Sequence, residues 1–511
     1  MHAVALVDVA IRTTSLTSAR NVPFRDNRAL SGLSSVAVTR FGDGAGSAQV
    51  MRPESVVTVV DGIESRHGAE TDAPPERTLR RVAGAALTAS TLEWYDFYIY
   101  GTAAALVFNT VFFPTASPVV GLLASFATFG VGFLFRPVGG IVFGHYGDRV
   151  GRKKLLVIAM LMMGAATTLI GLLPTYATIG IAAPILLVVL RCVQGLAIGG
   201  QYGGAMLLVT ENAPAHRRGF YGSFAQMGPS LAVILSNITF LVLIAALPAD
   251  DFASWGWRVP FLLSVIVIAL GLWIQLRIED TPDFRRLNEG SGAGRPTEKQ
   301  TATASGPARS RSPLVEALRT HPMQILQAGG MILVIQVYYY ILIVFMVSYV
   351  GTLGVDRSTI LTIVLISSGA TVLTIPMFAG LSDRIGRKRV LVPAAVATLV
   401  SAFPFFWLME SATVPTMLSG ALIAGVVLGA LYGPMAAFFT EMFATGVRYS
   451  GASVGYQLGA VVGGGFSPLI AASLLAWTGT INAVAGFVAV AALLTLLAIV
   501  STREHYRVDR R

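Results

Sequence analysis

Twelve predominantly apolar stretches recur between residues 84 and 500 of this 511-residue chain. They fall at 84–108, 119–145, 155–173, 182–208, 220–246, 258–276, 322–350, 359–381, 390–409, 415–440, 451–475 and 480–500. A helix needs roughly 20 residues to cross the hydrocarbon of a bilayer. Spans of a β-barrel would be shorter and would alternate in polarity. The pattern therefore predicts an all-α integral membrane protein of 12 transmembrane helices. Composition agrees, with 54% hydrophobic and only 13% charged residues, where a soluble domain carries about 25% charged. Such a chain could not cover a globular surface with polar groups, which excludes a cytosolic enzyme or a nucleic-acid-binding domain.

The net charge of +10 resolves once it is placed along the chain. With the N-terminus inside, the expected cytoplasmic loops and C-terminal end hold 23 Lys and Arg, whereas the external loops hold only Arg258 and Arg357. That asymmetry sets topology with both termini cytoplasmic. Residues 1–81 are rich in Ser, Thr, Arg, Gly and Pro and lack an apolar run of signal-peptide length, so they are expected to form a disordered cytoplasmic tail. Met51 is a second candidate start. The lone Cys192 excludes an internal disulfide and any paired-cysteine metal or redox site.

The second half of the chain repeats the first. Asp148-Arg-Val-Gly-Arg-Lys153 returns as Asp383-Arg-Ile-Gly-Arg-Lys388, 235 positions later. Gly195, Gly199, Tyr202, Gly203, Thr210 and Glu211 return as Gly425, Gly429, Tyr432, Gly433, Thr440 and Glu441, each 230 positions on. Arg217, Gln226 and Gly228 are matched by Arg448, Gln457 and Gly459. The repeat divides the chain into a tail (1–81), a six-helix half (82–277), a cytoplasmic linker (278–320), a second six-helix half (321–500) and a short tail (501–511). Two parallel six-helix halves are the architecture of the major facilitator superfamily, whose substrate binds between the halves near the midplane.

Four ionisable residues interrupt the apolar runs of the first half: Glu93 and Asp96 in the first, Arg136 in the second and Arg191 in the fourth. A charge in hydrocarbon costs about 3 kcal/mol or more, so such residues face a partner or a wet cavity. Glu93 and Asp96 are spaced i, i+3 and share a helix face. The second half has Thr371 and Ala421 where the first has Arg136 and Arg191, so it is expected to supply shape and polar contacts from Gln327, Gln336, Tyr338, Tyr339 and Tyr340, with Gln336 and Tyr338 as the substrate-binding candidates. The duplicated loops, with Asp148, Arg149, Gly151 and Arg152 and then Asp383, Arg384, Gly386 and Arg387, read as charge latches on the cytoplasmic rim. A static role in topology is the competing reading, but topology needs only the cations, whereas the aspartate recurs as well. Gly451, Gly455, Gly459 and Gly463 form a stripe for close helix packing. No metal cluster, nucleophile triad or phosphate loop is evident, and no cofactor is called for.

Several motifs carry a family resemblance. They are Glu93-Trp-Tyr-Asp-Phe-Tyr-Ile-Tyr-Gly101, Gly132-Phe-Leu-Phe-Arg136-Pro-Val-Gly-Gly140, the 144–154 loop, Arg191-Cys-Val-Gln194-Gly195, Trp255-Gly-Trp-Arg-Val-Pro-Phe261 and the stretch from Arg448 to Gln457. Together they resemble the metabolite:proton symporter family of the major facilitator superfamily, whose members carry shikimate, α-ketoglutarate and proline or betaine. The resemblance covers 82–500, and the first half looks closest to the shikimate carriers. It implies a monomeric transporter in the inner membrane of a bacterial cell. Its expected partners are a proton, a small organic anion and the lipid bilayer. After Gly199-Gly200 the family usually has Glu, and here stands Gln201, which moves proton coupling onto Asp96 and Glu93. Arg136 and Arg191 are then the candidate ligands of a carboxylate. The alternatives are uptake of a zwitterionic osmolyte such as proline or betaine, and a membrane sensor of the same fold that does not transport.

Overall fold

The computed structural model describes residues 76–150, 152–201, 209–210, 213–279, 319, 321–443, 448–502 and 504. By contacts the chain divides into Met1–Asp72 and Ala73–Arg511, and the second unit contains every described residue. Expectations for the tail before residue 76 and for most of the 278–320 linker lie outside the described residues.

All regular structure among the described residues is helical. The long elements are α1 (76–112), α2 (Pro118–Val150), α3 (Arg152–Leu172), α4 (Ala182–Gln201), α5 (Arg218–Ala246) and α6 (Val259–Glu279). They continue as α7 (Pro322–Thr352), α8 (Arg357–Ile385), α9 (Arg387–Glu410), α10 (Val414–Met442), α11 (448–478) and α12 (Asn482–Ser501). Ten of these are long and apolar enough to cross a membrane. The apolar run of α3, Val157–Leu172, is shorter, and α1 carries Glu76, Arg77, Arg80, Arg81, Glu93 and Asp96.

Residues 76–81, expected to belong to the tail, instead begin α1. Glu76 suits a helix start because its charge opposes the positive end of the dipole. It also pairs with Arg80 at 3.0 Å and with Arg217 at 3.5 Å. Elsewhere the ends follow local chemistry: the Asp356 carboxylate accepts from the Ser358 N–H at 3.1 Å to cap α8, and Pro322 opens α7 where a missing N–H costs nothing. Among the described residues, three π-turns interrupt the α-helical ladder, at Ala104–Phe108 in α1, Ile341–Phe345 in α7 and Ala460–Gly465 in α11.

The sequence repeat is visible in the packing. Within the first half α1 packs on α5 and α6, α2 on α4, and α3 on α4 and α6. In the second, α7 packs on α11 and α12, α8 on α10, and α9 on α10 and α12. The repeated glycines explain part of this. A Cβ on Gly199 would overlap the Arg136 carbonyl of α2, and one on Gly429 would overlap the Thr374 hydroxyl of α8. Each removes the side chain that would hold two backbones apart. The halves meet through α5 on α8, α2 on α11, α5 on α10 and α1 on α7. α7 lies deepest, with 89% of its apolar window buried against 33–56% for the other spans.

Candidate substrate site and gates

Arg136 sits midway along α2 and is 1% exposed. Its guanidinium carbon lies 3.9 Å from the ring centre of Phe133, 4.4 Å from Phe97 and 5.3 Å from Trp94. The ring faces offer it a negative quadrupole, yet its Nε and Nη2 hydrogens meet no acceptor. The half-buried Glu93 is the acidic group whose charge acts on it. An arginine with unused donors in a dry setting is equipped to take a carboxylate, because its fork matches two oxygens at once.

Arg191 is placed differently. Its Nη1 donates to Gln194 Oε1 at 2.9 Å and its Nη2 to the Phe129 carbonyl at 3.2 Å, while its plane lies over Tyr100 at 3.8 Å. Gln194 in turn donates through Nε2 to the Thr167 hydroxyl at 2.7 Å. Both Nη groups are thus engaged within the first half, and only Nε lacks a partner. Of the two arginines proposed from sequence, Arg136 retains more donors for a ligand.

Glu93 and Asp96, one turn apart, diverge. Glu93 lies on the Arg136 side, whereas Asp96, 2% exposed, faces the hydroxyls of Thr167 in α3 and Ser264 in α6. Asp96 belongs to the interior of the first half and does not line the cavity between the halves.

That cavity is lined by Tyr98, Pro229 and Ser230 from the first half and by residues of α7, α8, α10 and α11 from the second. Its volume is about 20 Å³, room for a water molecule or two. Gln336 lines it, with its Nε2 unpartnered. Tyr338 does not: its ring stands edge-on to Phe405 of α9 at 5.0 Å. The neighbouring Tyr339 lines the cavity, and Tyr340 covers the Arg136 cage, 5.3 Å from Phe133. Tyr432, Tyr456 and Thr371 also line it. Tyr432 belonged to the repeated set and Thr371 is the sequence counterpart of Arg136, but neither position announced which way its side chain points.

Contacts among the described residues bridge both ends of the interface between the halves. At the end bearing the 383–388 loop, the Asp383 carboxylate accepts from the amides of Gly219 at 2.9 Å and Phe220 at 2.8 Å, the first turn of α5. Arg387, fully buried, holds Asp383 at 2.5 Å and Glu441 at 3.0 Å. The backbone amide of Arg387 donates to Glu504 at 2.6 Å. Gly386 turns the chain between α8 and α9 at φ 103°, and Arg384 is exposed. In the equivalent first-half loop, Gly151 and the side chains of Asp148, Arg149 and Arg152 lie outside the described residues. At the opposite end the Ser348 hydroxyl donates to the Ala105 carbonyl, inside the π-turn of α1, at 3.0 Å. A Cβ on Gly101 would come within 3.1 Å of Val344 in the π-turn of α7.

The family model described as "Sugar (and other) transporter" matches residues 82–507. The shikimate transporter of Escherichia coli (strain K12) is 41% identical over 443 residues, covering 85% of this chain and 98% of that one. The inner membrane metabolite transport protein YhjE of the same organism is 38% identical over 445 residues, covering 85% and 96%. Among solved structures, the D-xylose-proton symporter shares the fold with a TM-score of 0.60 at 17% identity, covering 82% of this chain and 96% of that one. These relatives are transporters and not enzymes. The chain belongs to the sugar (and other) transporter family of the major facilitator superfamily and is a membrane transporter.

Proposed function

We propose that the protein takes up a small organic anion, a shikimate-like monocarboxylate or a related carboxylate, together with a proton. The observation that carries this reading is Arg136, buried in an aromatic cage with two donors unmet. The substrate carboxylate supplies those acceptors. Glu93 is the acid nearest to it in effect, so protonating Glu93 frees the guanidinium charge for the anion and keeps the site near neutral. Asp96 acts behind it, facing Thr167, which Gln194 joins to Arg191. Gln336 and Tyr339 meet the neutral end of the substrate. The 41% identical relative is itself named a shikimate transporter.

Alternating access follows from rocking of the two halves about the cavity. The loop charges support a bacterial inner-membrane orientation with both termini cytoplasmic. The Asp383 latch then closes the cytoplasmic mouth and Ser348 with Ala105 the external one. The four tyrosines lining the cavity, Tyr98, Tyr339, Tyr432 and Tyr456, favour a second reading, because tyrosine faces also receive a quaternary ammonium such as betaine.

The test is uptake into proteoliposomes under an imposed pH gradient, with labelled shikimate and labelled betaine run in parallel. Accumulation of shikimate that collapses with a protonophore and is lost in Glu93→Gln supports the first reading. Gradient-driven accumulation of betaine alone would replace it with the second.

A further inference from the structure

The Arg136 cage is built from both halves. Trp94, Phe97 and Phe133 belong to the first, and Tyr340, which completes the cover, belongs to α7 of the second. Tyr340 also stands 6.1 Å from Tyr98, a cavity-lining residue, so it packs against both the cage and the cavity wall. The cover is pressed down by the π-turn of α11. A Cβ on Gly464 would lie 2.9 Å from the rings of both Phe133 and Tyr340, and one on Gly465 would lie 2.7 Å from Phe133. Two adjacent glycines thus let the α11 backbone rest directly on the rings.

We propose that this cage is a stand-in for the substrate anion, holding Arg136 in the empty, closed carrier and releasing it when a carboxylate binds. The proposal rests on the reading of Arg136 as the carboxylate's ligand. A desolvated guanidinium needs negative potential around it, and three ring faces supply some. They supply no lone pair, so Nε and Nη2 stay unmet and a carboxylate displaces the rings. Because Arg136 and its three ring neighbours ride on the first half and Tyr340, Gly464 and Gly465 on the second, rocking that parts α2 from α11 lifts the cover off the cage and frees its rings to move aside. The cage therefore serves the step that an uptake carrier makes once per cycle without cargo, its empty return.

Exchange of substrate for substrate skips that step, and net flux requires it. Labelled shikimate is loaded into proteoliposomes, and its efflux is measured into shikimate-free medium (net) and into shikimate-containing medium (exchange). Phe133→Leu, which keeps an apolar side chain without a π face, lowers the net-to-exchange ratio by roughly fivefold or more. Phe133→Tyr, which keeps the face, retains the wild-type ratio, and Gly464→Ala, which wedges the cover, follows Phe133→Leu.

A second measurement needs no substrate. Nitroxide labels at Thr110→Cys and Thr352→Cys, in a Cys192→Ala background, report the separation of α1 and α7 in the empty protein. Phe133→Leu shifts that distribution toward longer distances. A wild-type ratio together with a wild-type distribution in Phe133→Leu overturns the proposal. An Arg136→Gln protein with unchanged KM for shikimate defeats the carboxylate reading instead. The substrate-free distances then still show whether the cage holds the closed state.

Discussion

Asp383, at the end of α8 in the second half, holds the backbone amide of Gly219 at the start of α5 in the first, at 2.9 Å. A carboxylate set against the first turn of a helix meets both free N–H groups and the positive end of the dipole. On the proposed alternating-access reading, the bond joins two bodies that separate when that mouth opens. A charge-assisted hydrogen bond is worth about 1.5–3 kcal/mol, a factor of roughly ten to a hundred in a two-state equilibrium.

Asp383→Asn is therefore expected to open that mouth in a larger fraction of molecules. Labelling of a cysteine placed at Ala379, buried against Gly219 beside the latch, checks this: the labelling rate rises by roughly tenfold or more. An unchanged rate would assign Asp383 to loop structure alone.

Arg387 bonds two carboxylates while fully buried. Removing one partner of a buried pair leaves the other uncompensated and costs roughly 3–5 kcal/mol. Arg387→Gln should lower the Tm of the purified protein in detergent by several degrees. Arg384→Gln, at an exposed position in the same loop, should leave Tm unchanged.

At the other mouth, Ser348→Ala removes the donor to the Ala105 carbonyl. A single neutral hydrogen bond contributes about 1 kcal/mol. Accessibility of a cysteine at Val344, buried against Gly101 at this end, should rise about fivefold, with Tm little changed, which separates a gate contact from a folding contact.

Arg191 and Gln194 are bonded within the first half. Gln194→Leu strands the Thr167 and Arg191 groups it joined, at a cost of roughly 1–3 kcal/mol. The expected signature is a lower Tm with the affinity for shikimate changed by less than about threefold. A large loss of affinity at full stability would instead place Arg191 on the substrate.

The spans, the repeat and the buried charges were legible in the sequence because each rests on composition or spacing. Lipid-facing helices must be apolar along their length, and the duplicated glycines of α4 and α10 recur because each backbone pair must approach closely. The facing of individual side chains was not legible. Tyr338, Tyr339 and Tyr340 differ by about 100° each on a helix, and nothing in three tyrosines says which meets α9, the cavity or the cage. Glu93 and Asp96 share a helix face by spacing, yet α3 and α6 offer hydroxyls to one and α2 offers a cation to the other. The three π-turns have no periodicity to reveal them, although those of α1 and α7 occupy matching places in the two halves. The charges at 76–81 have the composition of solvated chain, yet Glu76 pairs with Arg217 and these residues form the start of α1.

Calorimetric titration of shikimate into purified wild-type protein and Arg136→Lys tests the central claim most directly. Lysine keeps the charge and loses the planar fork, so binding should weaken by roughly tenfold or more while Tm stays near the wild-type value. Equal affinity in the two proteins would show that Arg136 does not hold the carboxylate.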